Sequence, residues 1–290
     1  MIASSYRVTP PATHHWKLFL LAASLFLLAT IVDGSVVPAS AEGRVIYSYY
    51  WPIAEGQNDL LHWNMETPDI VDVTWQSSDR NWQRAKEYWE KRGKSILYRV
   101  QPFTGAETGN EMYDRFAKNL KQFKGISVDE IVTHELTREQ AETFNGILIK
   151  LRRAYPDKMI AIWISGYWTK ENVFLLETIR DYADMVLPEI YVAQSTAKSE
   201  GLSYFIRYLR HLENCAPGIT AKTVMGIGMY QKLADGGSQS FRDHLAAQIL
   251  LLCTDPLFAK IKGIALYAPV YLSAQDQQWL DDVLKKHFVR

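Results

Sequence analysis

The chain has 290 residues, with 32 basic side chains balanced by 32 acidic ones and only two cysteines. That balance excludes the basic field of a nucleic-acid-binding protein, and the cysteine count excludes a disulfide-dense small scaffold. Hydrophobic residues make up 48% and aromatic residues 12%, enough for one large domain or two smaller ones and a good supply of flat apolar faces.

Residues 1–41 are set apart. A weakly basic start (Arg7, His14, His15, Lys17) leads into an apolar run from Leu18 to Val32, and Ala39-Ser40-Ala41 follows. This is the pattern of a cleaved secretory leader, and the run is short of the roughly 20 residues a spanning helix needs. The expectation is a mature chain beginning near Glu42, secreted or periplasmic, with no membrane contact after cleavage. Removing Arg7, Lys17 and Asp33 with the leader keeps the remainder within about one charge of neutrality, which favours a neutral partner over nucleic acid.

From there strand-like runs alternate with helical patterns. Strands are expected at 45–51, 69–75, 95–101, 125–130, 159–165, 185–192, 222–230 and 262–268. Helices are expected at about 79–92, 109–122, 171–182, 201–213, 239–253 and 273–286, with a loop at 52–68. A further helix runs from Thr137, which can cap while Gln140 reaches back, to a stop at Pro156. Eight βα units at about 30 residues each predict an α/β fold, a single (β/α)8 barrel over 42–290. Gly226-Ile227-Gly228 lies inside a strand without a third glycine or a following helix start, so a dinucleotide-binding sheet is excluded. Cys215 and Cys253 each fall near a helix end. Export permits a bridge between them, and two separate thiols are the alternative.

In such barrels chemistry gathers at the carboxyl ends of the strands, and alternate side chains face the axis. Val186, Pro188, Ile190 and Val192 suit the helix layer, which leaves Leu187, Glu189 and Tyr191 facing inward. Ile126 and Val128 sort the fourth strand, leaving Ser127 and Asp129 inward. Glu130 has the outward parity, but as the last residue of its run it can fold over the rim. The same sorting turns Arg99, Trp163, Tyr267 and, with a less certain register, Asp72 toward the axis, while Gly226 and Gly228 supply space without charge.

Carboxylates two strands apart, at about 4.8 Å per step, can bring their heads within about 5–9 Å, the range used to cleave glycosidic bonds. Repulsion and partial burial then hold a proton on one of them near neutral pH. Tyr50, Trp51, Trp163, Tyr167, Trp168, Tyr191 and Tyr267 are the rim aromatics expected to stack on sugar rings. Arg99 is read either as a substrate-binding cation or as the neutralising neighbour of Asp129.

Other chemistries lack their residues. His134-Glu135 opens like a zinc-binding helix, yet Arg138 stands where the second histidine belongs. No serine sits in a G-x-S-x-G turn. No metal or cofactor is expected.

At "GISVDE" and "LPEIYV" the sequence resembles the secreted glycoside-hydrolase barrels. The fourth-strand tip is similar to the Asn-Glu tip of the large retaining clan, with Asp129-Glu130 in its place. That likeness implies Glu130 as acid/base, although the second glutamate of the pattern is missing from "VMGIGMYQ" on the seventh strand. The chain also resembles chitinase-like barrels, with Ser127 at one acidic position and Glu189 preceding Tyr191 where that family has an aspartate following its tyrosine. The expected function is hydrolysis of an oligo- or polysaccharide, with Glu130 as general acid, Glu189 or Asp129 as companion carboxylate, and Tyr191 positioning substrate. A carbohydrate-binding barrel without hydrolysis and a purely structural envelope protein are the alternatives.

Overall fold

The computed structural model describes residues 44–50, 65–73, 86–105, 107–133, 135–194, 201–230, 233, 239–269 and 272–288. Eight strands form one parallel sheet: β1 (Val45–Tyr50), β2 (Ile70–Val73), β3 (Ser95–Val100), β4 (Gly125–Val132), β5 (Met159–Ser165), β6 (Met185–Pro188), β7 (Val224–Gly228) and β8 (Gly263–Tyr267). Their order, β6-β5-β4-β3-β2-β1-β8-β7, runs almost full circle. Among the described residues the ends of the sheet meet at one isolated bridge, Val186 to Thr223, giving a nearly closed (β/α)8 barrel. Gly226 makes that approach possible, because a Cβ there would lie 2.4 Å from the Pro188 carbonyl oxygen.

Among the described residues six α-helices return the chain along the outside: α1 (Gly109–Gln122), α2 (Arg138–Ala154), α3 (Val173–Tyr182), α4 (Ser203–Cys215), α5 (Phe241–Thr254) and α6 (Ala274–His287). Residues 86–90 are also helical. The expected box before α2 is present: Thr137 accepts from the Gln140 amide while the Gln140 side chain accepts from the Thr137 amide. Thr108 and Glu111 do the same before α1, and caps of this kind are worth about 1 kcal/mol each. Among the described residues no helix is long and apolar enough to cross a membrane.

Alternation along the strands produces two separate cores. Ile126, Val128, Val186, Ile190 and Ile227 pack outward under the helices. Tyr47, Leu97, Ala161, Trp163, Leu187 and Ala265 fill the barrel, as the period-two pattern requires. The bridge that export permitted is not formed, and both cysteines are free thiols. Cys215 Sγ faces the Trp168 carbonyl at 3.9 Å, whereas Cys253 senses the charge of Arg44. The two helix ends turn their sulfurs toward different neighbours.

Candidate active site

Within the barrel the polar residues form two levels. At the lower one Asp72, 0% exposed, is surrounded by donors. Ser127 Oγ donates to Asp72 Oδ2 at 2.9 Å and accepts from Trp163 Nε1 at 3.1 Å. The Tyr47 hydroxyl lies 3.1 Å from Asp72 Oδ2 and 2.9 Å from Ser127 Oγ. Arg99 Nη2 donates to Asp72 Oδ1 at 3.2 Å, with its guanidinium 3.6 Å over the Tyr49 ring. A buried charge is tolerable when paired and hydrogen-bonded in this way.

One step toward the rim the provision thins. Asp129 is 3% exposed, and its Oδ2 accepts from the Tyr49 hydroxyl at 3.0 Å. Arg99 Nη1 stands 3.8 Å from the same oxygen, farther than its contact with Asp72. Oδ1 has no hydrogen-bond partner among the described residues. Burial pushes the Asp129 carboxyl up to about 6 against the pull of Arg99, with the charges of Asp72 and Glu130 adding to the rise.

Glu130 is not the end of its strand. β4 continues to Val132, and the register with β5 shifts between Val128 and Ile131. Asp129 and Glu130 together oppose the single residue Trp163, which is the geometry of a bulge. Glu130 takes the left-handed conformation there, φ 59°, an uncommon state for a side-chain-bearing residue and one that gathers at functional sites. The bulge leaves Glu130 exposed while Ile131 resumes packing under the helices. Its charge is felt at both Asp129 and Glu189.

Glu189 follows the last residue of β6, where its amide still donates to the Ile164 carbonyl at 2.9 Å. No hydrogen bond or ion pair reaches its carboxylate among the described residues. Burial pushes this carboxyl up to about 8, and Asp129 and Glu130 reinforce the shift. The three acids therefore share one neighbourhood, although Arg99 serves only one of them.

Aromatic rings border the acids. Tyr267 lies 4.4 Å from Tyr49 and 4.7 Å from Tyr191, with Tyr230 at 5.6 Å. Gly228 makes room for Tyr191, since a Cβ there would come within 3.0 Å of its ring. The Tyr191 hydroxyl is buried and has no partner among the described residues.

Not every expected contact residue joins this group. Trp163, fully buried, is a floor beneath Tyr49 and Tyr267 rather than an open platform. Trp168 packs in the outer core, because Gly166, with φ 82°, turns the chain and the Trp168 amide donates to His211 Nε2 at 3.1 Å. Arg99, 7% exposed, is held by the two aspartates. The side chain of Tyr50, Trp51 and His134 lie outside the described residues. Tyr49 and Tyr230 were not singled out by sequence, yet Tyr49 shares the parity of Tyr47 and could have been found by the sorting that exposed Glu189.

Among the described residues no group of three or more His, Cys, Asp or Glu is placed to hold a metal ion. A hollow of about 290 Å³ opens elsewhere, at the amino-terminal end of β3 and β4 beside Lys86, Lys94 and Lys124. The strand-tip acids take no part in it.

No protein-family model matches the sequence, and no curated relative matches it. Solved structures do. A GH18 chitinase from Pseudoalteromonas aurantia superposes with a TM-score of 0.58 at 14% identity, over 83% of this chain and 100% of that one. An endo-beta-N-acetylglucosaminidase from Cordyceps militaris gives 0.62 at 13% identity, over 84% and 91%. A GH26 endo-beta-1,4-mannanase from Bacillus sp. JAMB-750 gives 0.58 at 9% identity, over 86% and 88%. At these identities the likeness is one of fold alone, the (β/α)8 barrel.

Proposed function

We propose that the protein is an exported glycoside hydrolase acting on an oligo- or polysaccharide, with Glu189 as the proton donor and Glu130 or Asp129 as the companion carboxylate. The carrying observation is Glu189 itself, a strand-tip acid without a partner among the described residues and raised to about 8 by burial and by two neighbouring acids. Such a group keeps its proton at neutral pH and can pass it to a glycosidic oxygen as the bond to the anomeric carbon breaks. The ionised companion faces the positive charge developing on the sugar, and water supplies the hydroxyl that completes hydrolysis. Glu189 replaces Glu130 in the donor role because Glu130 is exposed on its bulge, while burial acts on Glu189. Tyr191 and Tyr267 supply apolar faces for the sugar.

A non-catalytic carbohydrate-binding barrel is the second reading. It is favoured by the absence of an acid on β7, Val224–Gly228, and by the Arg99–Asp129 contact at 3.8 Å. The test is Glu189→Gln, assayed on a polysaccharide that the parent protein cleaves. Turnover should fall by about 10²–10⁴-fold while binding of the same polysaccharide is retained. In the parent, kcat/KM should decline as pH rises through about 8, where Glu189 loses its proton. Turnover unchanged in Glu189→Gln removes the donor assignment, and binding without release by the parent across neutral glycans selects the second reading.

A further inference from the structure

Tyr167 is 47% exposed, yet it is fixed on several sides. Its carbonyl accepts from Thr133 Oγ1 at 3.0 Å, at the end of β4. Its hydroxyl accepts from Arg207 Nη2 at 2.9 Å. The preceding residue, Gly166, has its carbonyl held by the Tyr208 hydroxyl at 2.7 Å. Tyr208 and His211 of α4 pack against the ring at 6.0 and 5.3 Å between centroids. An exposed aromatic ring gains little from burial, so two restraints on the backbone and three on the ring and its hydroxyl are more than packing requires. They remove in advance the ordering cost that a stacking partner would otherwise have to meet.

The ring also belongs to the acid side of the barrel. It follows the tip of β5, and Tyr208 is the neighbour common to Tyr167 and the candidate site, being close enough to Glu189 for that acid's charge to act on its hydroxyl. The Arg207 guanidinium lies beside the ring, 6.0 Å from the Tyr167 centroid and 5.4 Å from that of Tyr204.

We propose that Tyr167 is an outlying sugar-stacking subsite on the same rim as Glu189, so that the substrate is a neutral glycan chain gripped away from the point of cleavage and cut internally. This rests on the glycoside-hydrolase reading and adds the substrate's length. Catalysis needs only the sugars at the acids, so a separate fixed platform has use only for a chain that extends beyond them.

The test uses the full mature chain with Glu189→Gln in place to stop turnover, and titrates dimers and hexamers of neutral β-linked oligosaccharides, including the chitin and mannan series. Tyr167→Ala should weaken hexamer binding by about tenfold and leave dimer binding unchanged, whereas Tyr167→Phe should bind the hexamer like the parent. Should melting show that Ala disturbs the fold, Tyr167→Leu keeps apolar bulk against Tyr208 without a flat face and must show the same selective loss. Equal hexamer affinity in folded Tyr167→Ala or Tyr167→Leu overturns the subsite and leaves the hydrolase reading intact. Tyr167-dependent hexamer binding by a parent protein that cleaves none of the chains supports the subsite and removes the hydrolase reading. Failure of the parent to bind any hexamer overturns the subsite.

Discussion

Tyr47 and Tyr49 stand two residues apart on β1, and their hydroxyls address two very different carboxylates. Below, Asp72 receives Ser127, Arg99 and the Tyr47 hydroxyl. Above, Asp129 receives Tyr49 on one oxygen, while its other oxygen and the Tyr191 hydroxyl have no partner among the described residues. Barrel, residue type and degree of burial are the same, so neither fold nor composition explains the contrast. At the lower level both oxygens of Asp72 are met, as buried carboxylates in a native core are. The upper one is left open where strand tips meet solvent, and unmet polar groups in that position are what a substrate can complete.

The contrast can be broken from either level. The largest effect is expected at Arg99, the cation shared by both. Arg99→Met leaves Asp72 and Asp129 as uncompensated buried charges and should lower the unfolding free energy by about 3–5 kcal/mol, read by urea denaturation. A loss near zero would mean that the lower level does not depend on that pair.

Ser127→Ala comes next. It removes one oxygen that satisfies both Trp163 Nε1 and Asp72 Oδ2, for an expected cost of about 1–3 kcal/mol. The parent's substrate affinity should stay unchanged, because the residue lies beneath the site.

The third effect belongs to the rim and has the opposite sign. Glu189 is raised from 4.5 to about 8 on folding, so its contribution to stability is fully present below about 4.5 and is lost as pH rises through about 8. Glu189→Gln does not titrate. Its melting temperature should therefore gain on the parent's between pH 5 and pH 9, by about 2–4 °C for each 1 kcal/mol. A difference that is flat with pH would show that Glu189 is not desolvated in the folded protein.

Much of this arrangement is legible in the sequence because a strand has a period of two and a barrel has one buried interior. Val186 and Ile190 against Leu187, and Ile126 and Val128 against Ser127, sort inward from outward without any coordinates. What escapes that logic depends on partners distant in the chain. The bulge at Glu130 is a mismatch of lengths between β4 and β5, and nothing within "GISVDE" announces it. Trp168 leaves the rim because of one left-handed glycine and a histidine on α4. The free state of Cys215 and Cys253 follows from the directions in which two helix ends point. By sequence Arg99 is either a substrate-binding cation or the neighbour of Asp129, and the distances of 3.2 Å to Asp72 and 3.8 Å to Asp129 show that Asp72 is served first.

Among the described residues β6 and β7 pair only at the Val186–Thr223 bridge, which concentrates the cylinder's weakness at one seam. If thermal fluctuation parts the wall anywhere, it will part there first, and hydrogen exchange should register that opening before any other stretch of ladder. The seam runs up to Pro188, immediately before Glu189, so water entering through it would rehydrate that acid and release its proton. Integrity of the wall and readiness of the acid would then be lost in the same event.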